Sequence, residues 1–535
     1  MSSATNFPAS QTLTGAHAET LEFRRRVGNI SRHSAVFLAG TLFNSAAGYF
    51  FKIYVAREIG AEALGLYALG MSIVGVMGIF NAAGLPTAAA RFVAEYSSKR
   101  DYARLGAFLR GGLSLLGIGN LFLAGAVVLV GPWIAKAIYH TPALAAYSWS
   151  FAAIMLLGVL NSFLGQCMAG FREIARRTMI SLVLGTSATI VVAVVLIACH
   201  FGLTGYLAAQ IAAATLVLIF LARSVWKLTP PAARSARGWG RFESNVVAFS
   251  ATSFGIGLVH FALGQADKIA LGYFLDVRQV GIYAVAMAMV GVVPIALTSV
   301  NQVFSPTIAE LHSDGNLDLL QRLYISLTKW VLMATMPLIM TVSLFSSALM
   351  TVFGHGFQDG AVVLTVGALS QLFNCGVGSV GFLLLMSGHQ VVLMRIQALN
   401  AVAMVALNLL LVPRFGILGA VLSSSLAVAG TNLWGLAEVR RLLGLYPYDR
   451  SYGKLFVPSA LTSVVLVLVS ISLFKSARSS DSREHVPDVA LRTAWVQTHL
   501  EPNAVLMSNT GTCLTWTKWI PRKLLRSSNA ISARC

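Results

Sequence analysis

Long runs without one charged side chain decide what this chain can become. Gly111–Ala135, Ala137–Phe171, Thr178–Ala222, Ser244–Ala266 and Val280–Ala309 contain no Asp, Glu, Lys or Arg. A helix rises 1.5 Å per residue, so each run can cover the roughly 30 Å of hydrocarbon in a bilayer. Thr178–Ala222 is about twice what one crossing needs, which predicts a helical hairpin with its turn at His200, Gly202 and Gly205. Only 11% of the residues are charged and 56% are hydrophobic, whereas charged side chains make up roughly a quarter of a soluble domain. A β-barrel is excluded, because barrel strands alternate polar and apolar residues in segments of about ten.

Matching apolar runs to turn signals predicts an all-α integral membrane protein with thirteen spans. They are 34–55, 64–86, 111–131, 144–167, 178–199, 203–222, 244–266, 280–302, 331–353, 361–386, 394–412, 416–437 and 455–474. The first 33 residues hold Arg24, Arg25, Arg26 and Arg32 and no cleavable apolar core, so the first run is expected to remain as a helix. Lys and Arg then divide 24 to six between the two sides of this plan, which predicts a cytoplasmic N-terminus. That division also accounts for most of the net charge of +19. A nucleic-acid partner is not expected, since the basic residues are dealt out in small groups at helix ends and not gathered on one face.

A self-match at an offset of 216 residues adds architecture. KIYVAREIGAEALGLYALGMSIVGVMG from Lys52 and KIALGYFLDVRQVGIYAVAMAMVGVVP from Lys268 share nine of 27 positions, among them Gly65 with Gly281, Tyr67 with Tyr283, Met71 with Met287 and Gly75 with Gly291. Six helices separate the copies, and an even number preserves topology, so the expected fold is two parallel-repeat six-helix bundles facing each other across a cleft. The expected division is a cytoplasmic segment 1–33, a first bundle 34–222, a basic linker 223–243, a second bundle 244–437, an extra helix 455–474 and a polar tail 475–535. Substrate sites of repeat-built carriers lie near the midplane between the repeats.

VAREIGAEALGLYALG, GLPTAAARFVAEY, QADKIALGYFLDVRQVGIYAVA and FSPTIAEL, in this order in the two halves, resemble the polysaccharide flippase branch of the multidrug, oligosaccharidyl-lipid and polysaccharide exporter superfamily, the O-antigen and exopolysaccharide translocases. The resemblance covers about residues 30–475. It implies a V-shaped pair of lobes that moves an undecaprenyl-pyrophosphate-linked oligosaccharide to the outer leaflet of a bacterial inner membrane, with a polysaccharide polymerase and glycosyltransferases as further partners beside membrane lipids. Relatives of that kind commonly have twelve or fourteen spans, so thirteen is a departure. In the tail, ALRTAWVQTHLEPNAVLMSNTG weakly resembles an outer-face segment of some membrane glycosyltransferases.

Charged groups inside a membrane bundle are functional candidates by default. Asp267 and Lys268 stand side by side next to Gln265, and the resemblance implies an acidic residue in this motif. Lys268 and its repeat mate Lys52 could attract a pyrophosphate while Asp267 sets the field or binds a coupling cation; equally, the lysines lie at interface depth, where such side chains snorkel. Asn44, Asn81, Gln265, Asn301, Gln302, Gln371 and Asn374 form a polar row that suits either sugar hydroxyls or bonds between packed helices. Arg91, Arg172, Arg176, Arg177 and Arg395 fall at cytoplasmic helix ends, where an anionic substrate would first be met and where topology alone also favours them. His260 reads as a packing residue. GxxxxGK[ST], HExxH and CxxC do not occur, and Cys167, Cys199, Cys375, Cys513 and Cys535 show no paired spacing, so no catalytic residue, metal or cofactor is expected. Two other readings stay open: a cation-coupled drug or metabolite exporter, and a membrane polymerase or glycosyltransferase.

Overall fold

The computed structural model describes the backbone of residues 9–235 and 243–449 and, for most of these from Ala39 onward, the side chains. The expected extra helix and the polar tail lie outside the described residues. All regular structure among the described residues is helical. Helix α1 (Ala9–Ala82) is two arms joined at Gly60, whose φ of 78° and ψ of 176° are accessible without strain only to glycine. Tyr49 and Gly75 line one cavity, although an unbroken helix would hold them about 39 Å apart. The arms therefore fold back on each other at Gly60.

The first half continues with α2 (Leu85–Ser98), α3 (Tyr102–Ala137), α4 (Ser148–Gly170), α5 (Ile174–Thr178), a π-helical turn Met179–Leu184, α6 (Gly185–Ala198), α7 (Gly202–Leu228) and α8 (Pro231–Ser235). Asp101 starts α3 by accepting a 3.1 Å hydrogen bond from the Arg104 backbone amide, one of the donors that a helix start leaves unpaired. The hairpin predicted over 178–222 turns at His200, which has φ of 65°. The second half comprises α9 (Ser244–Phe274), α10 (Val277–Val290), α11 (Ile295–Ser313), α12 (Leu317–Leu344), α13 (Ser346–Thr351), α14 (Ala361–Val377), α15 (Val380–Met386), α16 (Gln390–Phe415) and α17 (Ile417–Leu443).

Two helices expected to be continuous are broken. The span drawn over 280–302 bends by 51° between α10 and α11, where Pro294 cannot supply an amide proton to the ladder. The span drawn over 361–386 stops at Gly378, with φ of 70°, where a Cβ would fall 2.3 Å from Thr328 Oγ1. Ten helices among the described residues are long and apolar enough to cross a membrane, or eleven if the bent pair is one span. One of the ten is the 40-residue stretch Ala39–Gly78, and treating its two arms separately adds a crossing. This is a multi-pass membrane protein.

The apolar cores explain how the halves meet. At the Gly60 end a single core joins Leu69, Phe151 and Leu207 of the first half to Leu271, Tyr283, Met350 and Val421 of the second. At the other end each half has its own core: Phe92, Phe108, Phe163 and Leu221 in the first, Ile308, Tyr324, Leu383 and Val439 in the second. Packing thus closes one end and parts the other. Helix α9 bridges the two, because Val246 near its start belongs to the first half's core while Leu271 near its end belongs to the shared core.

Candidate functional site

Between the halves lies a cavity of about 560 Å³ lined by Tyr49, Lys52, Tyr67, Gln265, Lys268 and Met287, among others. The repeat explains this meeting. Lys52 sits two turns before the fold-back at Gly60 and Lys268 two turns before the end of α9, so equivalent positions of the two halves face one space. Lys268 Nζ donates 3.1 Å to Gln265 Oε1, which fixes its direction. No carboxylate lines this cavity among the described residues. Two ammonium groups in one partly desolvated space repel each other and favour an anion between them.

A larger cavity of about 850 Å³ adjoins it and shares Tyr49, Lys52, Tyr67, Tyr206 and Ala288. Its wall is mostly from the first half: Asn44, Asn161, Arg177, Ser181, Thr186, Thr189 and Gln210 supply polar groups, while the second half adds Ala288, Gly291 and Val292. Arg177 and Thr189 are about 18 Å apart along the helix axis, so the cavity runs from near one end of that helix to deep in the membrane. The π-helical turn beginning at Met179 lies between them, and such turns re-aim side chains at functional places. Here it follows a tight crossing, since a Cβ on Gly40 would stand 2.5 Å from Thr178 Cγ2. Arg177 Nη1 is steadied by Gln166 Oε1 at 3.3 Å.

Asp267 lines a different cavity from the one the two lysines share, toward the second half, and Lys268 lines both. Asp267 is 6% exposed, accepts 2.6 Å from Tyr283 Oη at Oδ2 and 2.8 Å from the Lys268 backbone amide at Oδ1. Tyr283 also meets Ser424 Oγ at 3.2 Å. Asp267, Lys268, Asn374, Ser424 and Thr431 line a third cavity of about 400 Å³. The arrangement can hold a carboxylate in place and offers oxygen ligands beside it, the donor set that hard cations prefer.

The remaining candidates separate. Asn44 lines the larger cavity and accepts a short hydrogen bond from Thr186 Oγ1. Gln371 is buried and accepts 3.0 Å from Asn374 Nδ2; it lies outside these cavities, as does Asn301, whose buried Oδ1 finds no partner among the described residues. The Asn81 side chain lies outside the described residues. Arg395 is exposed near the start of α16 and lines none of these cavities.

Arg91 belongs to a polar cleft of about 520 Å³ at the parted end, with its guanidinium 4.9 Å from the Phe249 ring of α9. There Arg104 pairs with Glu243 at 2.9 Å and Tyr96 Oη donates 3.5 Å to the same carboxylate. Burial raises the Tyr96 phenol above its ordinary pKa, the Glu243 charge adding to it, so it remains the donor. On the same helix the hydrogen bond and charge of Lys99 hold the Glu95 carboxyl below the usual carboxylate range.

Sequence reasoning left Gln210 and Asn161 unmentioned, although each interrupts a charge-free run and line the larger cavity. The isolation of those amides was the available signal. The inward turn of Arg177 depends on α5 and its π-helical turn, which leave no mark in composition.

Two halves joined by a core at one end, with a cavity between them that Lys52 and Lys268 line, define a helical membrane protein with a central cleft. The chain belongs to the family described as polysaccharide biosynthesis protein, whose pattern matches residues 30–312. It is similar to the probable flippase AglR of Haloferax volcanii, 22% identical over 472 residues, covering 83% of this chain and 90% of that protein. In fold it is similar to a multidrug resistance MATE family transporter of the MOP superfamily in an inward-facing conformation, with a TM-score of 0.61 at 15% identity over 76% of this chain and 98% of that one. The lipid II flippase MurJ in an inward closed conformation matches with a TM-score of 0.61 at 13% identity, over 83% and 99% of the two chains. The resemblance read from the sequence motifs is thereby shown, and so is the MATE-like and MurJ-like helical fold.

Proposed function

We propose that this chain is a flippase that carries a polyprenyl-pyrophosphate-linked oligosaccharide, the undecaprenyl form in a bacterial inner membrane, from the cytoplasmic to the outer leaflet. The observation that carries this reading is the pair of repeat-related lysines, Lys52 and Lys268, in one acid-free cavity between the halves. A pyrophosphate diester brings two negative charges, which match two ammonium groups. The adjoining neutral polar wall suits sugar hydroxyls, which need partners once water is left behind. Arg177, at the other end of that wall, and Arg91, in the cleft at the parted end, supply cations where such an anion would enter.

The N-terminus is cytoplasmic in this reading, as the distribution of Lys and Arg predicts, which makes the parted end the cytoplasmic one. Gln265, Asn44 and Asn374 orient substrate or ligand at the cavity walls. Asp267 couples the cycle to a cation held with Ser424 and Asn374 in the second half. A polymerase and glycosyltransferases act before and after the transport step. Loss of the gene is expected to leave lipid-linked repeat units on the cytoplasmic face and to remove surface polysaccharide; unchanged surface polysaccharide in a clean deletion contradicts the reading. A cation-coupled drug or metabolite exporter is favoured less, since the cations lining the two central cavities would repel a cationic cargo.

A further inference from the structure

Resting on the flippase reading, we infer that Tyr67, Tyr206, Gln210 and Asn161 form a subsite for the first sugar, the pyranose whose anomeric carbon bears the pyrophosphate. Tyr206 stands at the centre of an aromatic wall: its ring centroid lies 5.1 Å from that of Tyr67 at 61° and 6.1 Å from that of Phe51 at 48°. A pyranose presents a face of C–H groups, which packs on aromatic rings, and a rim of hydroxyls, which needs hydrogen-bond partners. Both tyrosines line the two central cavities together with Lys52. A sugar bonded directly to a phosphate held by Lys52 would lie in the same cavities as these rings.

The polar partners follow at one-turn intervals along α7. Gln210 comes one turn after Tyr206 and donates 3.0 Å from Nε2 to Tyr67 Oη, which holds that ring upright. Ala214 comes one turn later, and its carbonyl receives Asn161 Nδ2 at 2.9 Å. Asn161 lines the same cavity, and its other amide atom, Oδ1, is buried without a partner among the described residues, so a small turn of the side chain toward the cavity would give that acceptor a donor it now lacks. A sugar hydroxyl or acylamino N–H is such a donor. The second half contributes no polar side chain to this cavity among the described residues, so recognition of the sugar is one-sided, by the first half alone.

Titrating the full-length protein in micelles with P1-farnesyl-P2-methyl pyrophosphate, a diester of the same two charges, and with farnesyl-pyrophosphoryl-N-acetylglucosamine separates the sugar from its anionic anchor. The wild type is expected to bind the glycosylated probe about tenfold more tightly, as one stacked ring and one new hydrogen bond allow. Tyr206→Leu and Gln210→Leu should erase that preference and leave the affinity for the methyl diester unchanged, which also reports that they fold; Tyr206→Phe should keep it. Equal wild-type affinity for the two probes overturns the subsite, as does a uniform loss of both in the variants. Binding of neither probe by the wild type overturns the flippase reading and the subsite with it.

Discussion

Gly65 and Gly281, equivalent residues of the internal repeat, pack backbone to backbone across the boundary between the halves. A Cβ on Gly281 would fall 2.8 Å from the Gly65 amide nitrogen and 1.9 Å from the Ala61 carbonyl oxygen. A Cβ on Gly65 would fall 1.9 Å from the carbonyl oxygen of Val277, the repeat mate of Ala61. The contact is reciprocal, as a local two-fold axis between α1 and α10 requires. It lies where the shared core closes the molecule.

Gly281→Val should pry this end open, because the atoms it strikes are backbone and cannot rotate aside. Overpacking of this kind costs about 1–3 kcal/mol. The thermal midpoint of Gly281→Val is expected to fall well below that of the wild type, and that of Gly257→Ala is not. An unchanged midpoint in Gly281→Val would contradict closure by this contact.

Lys52→Ala and Lys268→Ala should each lower transport at least tenfold, and the double variant should lose less than the product of the single losses, since the two act on one anion. Lys52→Arg should retain most activity. Strictly multiplicative losses, measured as initial transport rates, would mean that the lysines work separately.

The sequence made this pair legible because a duplicated motif preserves its own lysine. Lys52 and Lys268 meet in space for the same reason that Gly65 meets Gly281. What composition concealed was helix continuity and depth. Gly378 reads as one more glycine in an apolar run, and only its approach to Thr328 shows a break. Gln371 and Asn374 are three residues apart and bond to each other, so a row that could have lined the cleft partly satisfies itself. Arg177 resembled Arg172 and Arg176 in the sequence, and its cavity-facing position depends on tertiary packing.

Asp267→Asn keeps the shape of the carboxylate: its oxygen can accept from the Lys268 backbone amide while Nδ2 donates to Tyr283 Oη, which then turns its own proton to Ser424. This variant should fold with near-normal thermal stability yet transport without dependence on a cation gradient. Asp267→Ala removes the acceptor of Tyr283 and of the Lys268 amide, leaving Tyr283 with Ser424 alone, and should lose about 1–3 kcal/mol. Gradient dependence unchanged in Asp267→Asn would remove Asp267 from coupling.

Glu243→Gln should change stability by less than about 1 kcal/mol, because Arg104 is 60% exposed and its ion pair is screened. Thermal unfolding at low and high salt checks this. A larger loss would mean that the start of α9 is held to the first half mainly by charge, not by Val246 and the Gly84 to Ser250 contact.

Gly257 in α9 has no atom near its missing Cβ, so packing does not require glycine there. Gly257→Ala should raise thermal stability by up to about 1 kcal/mol through helix propensity. If α9, tied to both halves, flexes during the cycle, the same change should slow transport; a faster or equal rate would argue for a rigid arm.

Proteoliposomes containing the purified protein and a short-chain polyprenyl-pyrophosphoryl oligosaccharide, scored by the fraction of sugar reached by an external lectin over time, test the central claim most directly. The wild type should equilibrate the lipid between leaflets, and the Lys52→Ala/Lys268→Ala variant should leave it where it was loaded. Equal rates for wild type, double variant and protein-free vesicles would contradict the account.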